Sequence, residues 1–253
     1  MSHTTPQIHT EKIILQTYHC DRTDHLSLWG LCRIFQEASA HHTDGTNISY
    51  EALIKEQKAW VLSRMYYEMH QMPSLGEEMT VSTWSRGPNG IFAVREFQMH
   101  DLQGNLRCSA STYWVVIDMQ ARKVCRITDL MAVFPSHESI GTSVESFNKL
   151  RLGDFADAER VAIIPANDSF IDHTQHVNNA EYIKLMSDYF DTATLDGQFQ
   201  QHRFDNTCFQ IDYPLETRPA EPLSIYRHKE ENTTSFQIKN PRGVSAIALF
   251  SFL

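Results

Sequence analysis

The tightest constraint on the fold is a repeated order of elements: a helix followed by a run of strands, then, after a long connection, a strand, a helix and strands again. In 25–42 (HLSLWGLCRIFQEASAHH), Leu28, Leu31, Phe35 and Ala38 fall at spacings of 3, 4 and 3, which places them on one helical face. Ile183, Met186, Phe190 and Ala193 repeat that spacing. Segments 59–72, 77–87, 91–101 and 108–120 read as strands rich in aromatic and β-branched residues, parted by turns such as RGPNG and LQGN. In the second half, 161–165, 204–216, 222–230, 233–240 and 244–253 read the same way, with Asp196-Gly197 and PRG as turns. Residues 128–160 are mixed, polar and weakly periodic, as expected of a connection between two units. An offset of 151 lays Asp21-x-Thr23-x-His25 on Asp172-x-Thr174-x-His176, both D-x-T-x-H ahead of a helix, and Asp44-Gly45 near Asp196-Gly197. One helix per run of strands predicts an α+β chain in which an antiparallel sheet wraps a helix, built twice.

Bulk properties narrow the function classes. A net charge of −9 excludes nucleic-acid binding driven by overall electrostatics. Cys20, Cys32, Cys108, Cys125 and Cys208 are scattered, odd in number and form no CxxC pair, so they read as reduced thiols rather than a disulfide frame or zinc ribbon. No apolar run is long enough to span a bilayer, and MSHTTPQIHTEKIILQ resembles neither a signal nor a transit segment. The expected location is the cytoplasm.

Chemistry concentrates in DSFIDHTQHVNNAEYI (168–183), where Asp168, Asp172, His173, Thr174, Gln175, His176, Asn178 and Asn179 precede an apolar-periodic run. Three readings apply. Thr174 or Asn178 is an ordinary helix cap, although capping alone does not call for two imidazoles. His173 and His176, with Asp172, form a metal site, but HExxH is absent. Or a carboxylate and an imidazole upstream of a helix start perform acid/base chemistry, with unpaired N–H groups ready for an oxyanion. Ser169 lacks an elbow motif and Cys208 sits in an apparent strand, so activated water fits better than an acyl-enzyme.

QHVNNAEYI resembles the second unit of the plant-type acyl-[acyl-carrier protein] thioesterases, which carries D-x-N-x-HVNN followed by Y-I. DRTDHLSLWGLCRIFQEASAHH is similar to their first helix, WVLSRMYYEMHQMPSLGEEMTVSTW to their W-V-x-R-M strand, and STYWVVIDMQARKV to their S-x-W-V strand. The resemblance covers about residues 12 to 220. It implies a double hotdog: an N-terminal unit (1–132) binding the acyl chain, a linker (133–158) and a catalytic C-terminal unit (159–253). It places Asp172 and His176 at the family's loop aspartate and histidine, and Thr174 where the family has asparagine. Tyr213-Pro-Leu-Glu216-Thr217 keeps the glutamate of the family's Y-x-x-E-C and replaces its cysteine, which argues against a cysteine nucleophile. The implied reaction is hydrolysis of fatty acyl-[acyl-carrier protein] thioesters without cofactor or metal. Asp172 or Glu216 is the base, the order between them staying open; His176 orients and protonates; Thr174 assists; the N–H groups of Val177 and Asn178 hold the oxyanion. His25 lacks the HVNN continuation and reads as structural.

Leu31, Phe35, Met65 and Met69 are the candidate acyl-chain contacts, with plain core packing as the simpler reading of each. Arg122, Lys123 and Arg126, or Lys149 and Arg151, are candidates for docking an acidic carrier protein. Acyl-CoA hydrolysis, hotdog dehydration and non-enzymatic acyl-thioester sensing are the rival readings. No nucleic acid or membrane span is expected, and a homodimer stays open.

Overall fold

The computed structural model describes residues 7–132, 134–137, 147–151, 158–190 and 204–253. Ala193, the Asp196-Gly197 turn and most of the expected connection lie outside the described residues. The chain divides into two compact units. The first comprises Met1–Leu15, Arg33–Tyr67 and Gly76–Phe147; the second comprises Gln16–Cys32, Glu68–Leu75 and Asn148–Leu253.

In the first unit the elements are β1 (Ile8–Ile14), helix α1 (Leu28–Thr43, from its second turn), α2 (Tyr50–Lys55), β2 (Lys58–Met69, to Tyr67), β3 (Glu78–Asn89), β4 (Phe92–His100), β5 (Leu106–Asp118), β6 (Lys123–Val124) and α3 (Ile127–Met131). The strand order is β1-β3-β4-β5-β2, with β6 on β5. Strand β1 and helix α2 have no counterpart in the sequence expectations. For β1 the reason is physical: as an edge strand it buries none of its residues, so no period-2 apolar face marks it. Phe35 reaches the sheet from α1, stacked 4.6 Å from Phe97 and 5.9 Å from Tyr67. The start of the expected connection is also packed. Ile127, Met131 and Phe134, one helical face of α3 and its exit, join Ile48, Leu53, Ala93 and Val116 in a buried cluster.

The second unit holds the first turns of α1, then β7 (Glu159–Pro165), α4 (Asn179–Asp188), β8 (Thr207–Asp212), β9 (Pro222–Lys229), β10 (Thr233–Asn240) and β11 (Gly243–Phe252). Its strand order is β8-β11-β10-β9-β7, antiparallel throughout. Ile183, Met186 and Phe190 are buried, as the 3-and-4 spacing predicts. Phe190 sits within 5.0–5.8 Å of Phe204, Phe236, Phe250 and Phe252. Truncating such a side chain costs about 3–5 kcal/mol. At the start of α1, a Cβ on Gly30 would stand 2.1 Å from the His19 carbonyl oxygen, so only glycine permits that approach.

With β1 included, both halves follow the same order. Strand β7 lies 151 residues after β1 at each end, and α4 begins 151 residues after α1.

Candidate active site

Residues 168–178 form a closed loop ahead of α4. A 3₁₀ turn, Asp168–Phe170, leads into a bridge between Ile171 and Val177. Asp172 N–H donates to the His176 carbonyl at 3.0 Å, and Gln175 N–H donates back to the Asp172 carbonyl at 3.0 Å. Gln175 takes the left-handed conformation (φ 65°) that this tight closure needs. The Asp172 carboxylate is enclosed by its own loop. Oδ1 accepts from Thr174 N–H at 2.8 Å and from the Thr174 hydroxyl, while Oδ2 accepts from Asn178 Nδ2 at 3.3 Å. Asn178 is also the helix cap, its Oδ1 accepting from Ala180 N–H at 2.9 Å. Capping is therefore real, and it falls to Asn178 rather than Thr174.

Val177 N–H donates to the Thr217 carbonyl at 3.0 Å, tying this loop to the one after β8. That link brings the neighbouring Glu216 carboxylate to His176: Nε2 to Oε2 is 3.1 Å, with both side chains about one-third exposed. Glu216 is held from behind. Arg242 Nη2 and Asn240 Nδ2 donate to its carbonyl at 2.7 and 3.0 Å, and its Oε1 lies 3.8 Å from Arg218 and 3.9 Å from Arg242. Arg242 is fixed by a two-point pair with Glu221 at 2.9 and 3.1 Å, and these bonds hold the Glu221 carboxyl below its usual range. Beneath them the Thr217 hydroxyl donates to Ser245 Oγ at 2.9 Å. The buried Tyr182 hydroxyl has no hydrogen bond of ordinary geometry, and burial pushes its pKa up to about 12.

One expectation needs correction. The amides of Val177 and Asn178 are not available to an oxyanion: Val177 N–H is bonded to Thr217 O, and Asn178 N–H to the Phe170 carbonyl at 2.9 Å. The strand-like bridge and the turn upstream of α4 consume both donors. In the first turn of the helix, Ala180 N–H donates to the Asn178 side chain and Glu181 N–H to the Asn178 carbonyl. That leaves the Asn179 N–H as the donor there with no partner among the described residues.

The metal reading of this loop needs Asp172, His173 and His176 to converge. Among the described residues, the one group of three ligand atoms within 4.8 Å of one another is His9, Glu11 and His41 instead. Leu31, Phe35, Met65 and Met69 are all buried, at 0–2% exposure. Phe35 and Met65 belong to the first unit, and Leu31 and Met69 to the second. Arg122, Lys123 and Arg126 are exposed around the β5–β6 turn, and Lys149 and Arg151 are exposed as well. All five cysteines are free thiols. No helix among the described residues is long and apolar enough to cross a membrane.

Sequence reasoning missed Arg242, Asn240 and Glu221. Pro241-Arg242-Gly243 reads only as a turn, and its approach to Glu216 depends on how β10 and β11 pair, which leaves no local signal.

Comparison with known proteins gives concordant matches. The family described as acyl-ACP thioesterase N-terminal domain matches residues 6–133, and the acyl-ACP thioesterase C-terminal domain matches residues 161–245. An acyl-[acyl-carrier-protein] hydrolase, chloroplastic, of Cuphea viscosissima is 28% identical over 230 residues, 82% of this chain and 54% of that protein. Oleoyl-acyl carrier protein thioesterase 1, chloroplastic, of Arabidopsis thaliana is 22% identical over 189 residues, 68% of this chain and 52% of that one. The chain thus spans about half the length of these curated relatives. Two solved structures share the fold. An acyl-ACP thioesterase from Bacteroides thetaiotaomicron has a TM-score of 0.82 at 22% identity, covering 98% of both chains. The 12:0-ACP thioesterase from Umbellularia californica has 0.78 at 17%, covering 97% of both. The α+β double hotdog expected from the sequence is the fold observed.

Proposed function

Since the chain belongs to the acyl-ACP thioesterase family, we propose that it hydrolyses the thioester of a fatty acyl-[acyl-carrier protein], releasing the free fatty acid and the carrier thiol. The observation that carries this reading is the 3.1 Å contact between His176 and Glu216 on a loop braced by Asp172. Glu216 takes a proton from water as its oxygen attacks the thioester carbonyl. The Asn179 N–H, at the positive end of α4, meets the oxyanion. The proton on Glu216 passes to His176 Nε2, and as collapse expels the thiolate the imidazolium gives it the proton from its other nitrogen, which leaves a neutral imidazole and a free carboxylate. Asp172 is the weaker candidate for the base: Thr174 and Asn178 already occupy both of its oxygens, so it positions the loop.

In this reading 1–132 binds the acyl chain, 133–158 links, and 159–253 carries the catalytic loop. Leu31, Phe35, Met65 and Met69 are its apolar contacts, and Arg122, Lys123 and Arg126 dock the acidic carrier. Free thiols at all five cysteines fit a reducing compartment such as the cytoplasm. The test is release of fatty acid from acyl-carrier-protein and acyl-CoA substrates in parallel. Turnover favouring the carrier substrate, weakened by added salt and abolished in Glu216→Gln, supports the proposal. Equal turnover by Glu216→Gln, or ligand retention without turnover, sinks it.

A further inference from the structure

A second cluster of ligand-type side chains lies in the first unit, on strand β1 and the last turn of α1. His9 and Glu11 are two residues apart on one strand, so both side chains leave the same face. On the opposite face Thr10 and Lys12 meet Ser82 and Glu78. His41 comes from the C-terminal end of α1. His9 Nε2 stands 3.1 Å, and His41 Nδ1 2.8 Å, from the same oxygen, Glu11 Oε2. All three atoms lie within 4.8 Å of one another. Zinc bound at ~2.0–2.1 Å in tetrahedral geometry separates its ligand atoms by about 3.3 Å. Two sides of the observed triangle, 3.1 and 2.8 Å, lie within about 0.5 Å of that size, and the third is at most 4.8 Å.

We propose that His9, Glu11 and His41 form a zinc-type divalent-cation site, two imidazole nitrogens and one carboxylate oxygen, that ties the edge strand β1 to the end of helix α1. Two ligands adjacent on a strand and a third from a helix fix three of four tetrahedral positions. The fourth faces outward beside His41, which is 57% exposed, and suits water. The surroundings favour a cation. The His42 ring stacks on His9 at 5.8 Å and 18°, fixing the plane of the ligand ring. His42 itself accepts from the buried Arg95 at 2.9 Å, so it presents an uncharged ring to His9.

The competing description is a hydrogen-bonded triad in which Glu11 accepts from both rings and no metal enters. Metal binding by the full, tag-free, chelator-stripped chain separates the two. Zn²⁺ titrated calorimetrically should bind saturably at one equivalent. Co²⁺ substituted for it should give the intense visible bands of a tetrahedral N/O site. His41→Ala and Glu11→Gln should each weaken Zn²⁺ binding at least about tenfold, and Zn²⁺ should raise the Tm of the unaltered chain but not of Glu11→Gln. Absence of saturable binding overturns the proposal. So does binding that both substitutions leave intact, which would assign the metal to others among the 13 histidines. The Co²⁺ spectrum of the unaltered chain stands even if a variant misfolds, and none of these readouts depends on thioester turnover.

Discussion

Loops 21–25 and 172–176 close on the same hydrogen bonds, and the second holds its histidine 3.1 Å from the Glu216 carboxylate, beyond the end of another strand. In each, aspartate N–H reaches the histidine carbonyl (2.9 Å from Asp21, 3.0 Å from Asp172), and aspartate Oδ1 accepts from threonine N–H (2.8 Å in both) and the threonine hydroxyl. In each, the residue before histidine is left-handed, Asp24 at φ 59° and Gln175 at 65°. The equivalence continues outward. Leu26 N–H bonds Pro73 O where Val177 N–H bonds Thr217 O, and Ser27 N–H bonds His19 O where Asn178 N–H bonds Phe170 O. By that alignment Met72, just before Pro73, stands where Glu216 stands before Thr217. A thioether cannot take a proton, and His25 turns Nδ1 to the Thr23 carbonyl at 2.7 Å. Asp-x-Thr-x-His is therefore a loop-building unit in both halves. In the proposed mechanism the glutamate is what makes one of them chemically competent.

The largest expected effect follows from that difference. Glu216→Gln should lower kcat by about 10²–10⁴-fold, the usual worth of a positioned base, while the thermal midpoint stays nearly unchanged. Steady-state hydrolysis with melting on the same preparation checks it; a loss under threefold would erase the distinction between the loops. Next, His176→Ala should cost about 10²-fold or more in kcat, whereas His25→Ala should leave kcat within a few-fold. If both substitutions slow hydrolysis alike, the first loop is not merely structural.

How far each feature was legible depends on the range of the interaction behind it. The faces Leu28-Leu31-Phe35-Ala38 and Ile183-Met186-Phe190 were legible because helical burial has a local period. The D-x-T-x-H loops were visible because their bonds join residues at most a few positions apart. Glu216 came only through family resemblance, since nothing near YPLET points at His176. Arg242 and Asn240 gave no signal, because strand pairing delivers them. Strand β1 stayed hidden because an edge strand with no buried face has no apolar alternation. The unpaired amides assigned to Val177 and Asn178 followed a sound rule about helix starts, but the bridge and turn before this helix had already used them.

The shared scaffold predicts a smaller, symmetric effect. Asp21→Ala and Asp172→Ala each remove the acceptor of the loop's threonine bonds, so each should destabilise its loop by about 1–2 kcal/mol. Only Asp172→Ala should also reduce kcat, by roughly tenfold, through misplacement of His176. Urea melts and kinetics on both variants decide this. A far greater loss of rate in Asp172→Ala, with unchanged stability, would return Asp172 to contention as the base.

The smallest effect concerns the brace behind the second loop, the pair of Arg242 with Glu221. Glu221 and Arg242 pair at two points, 2.9 and 3.1 Å. Arg242 keeps the folded-state pKa of Glu221 below its ordinary 4.5. The stability this confers is fully present above pH 4.5 and is lost as pH falls through the lower folded value. Arg242→Gln should therefore flatten stability against pH in that acidic window. Because the guanidinium is about one-third exposed, solvent screening keeps the change small. Urea midpoints measured from pH 6 downward test it. An unaltered pH slope in Arg242→Gln would mean that Arg242 serves the site only through its bond to the Glu216 carbonyl, and that its pair with Glu221 contributes nothing to stability in the acidic range.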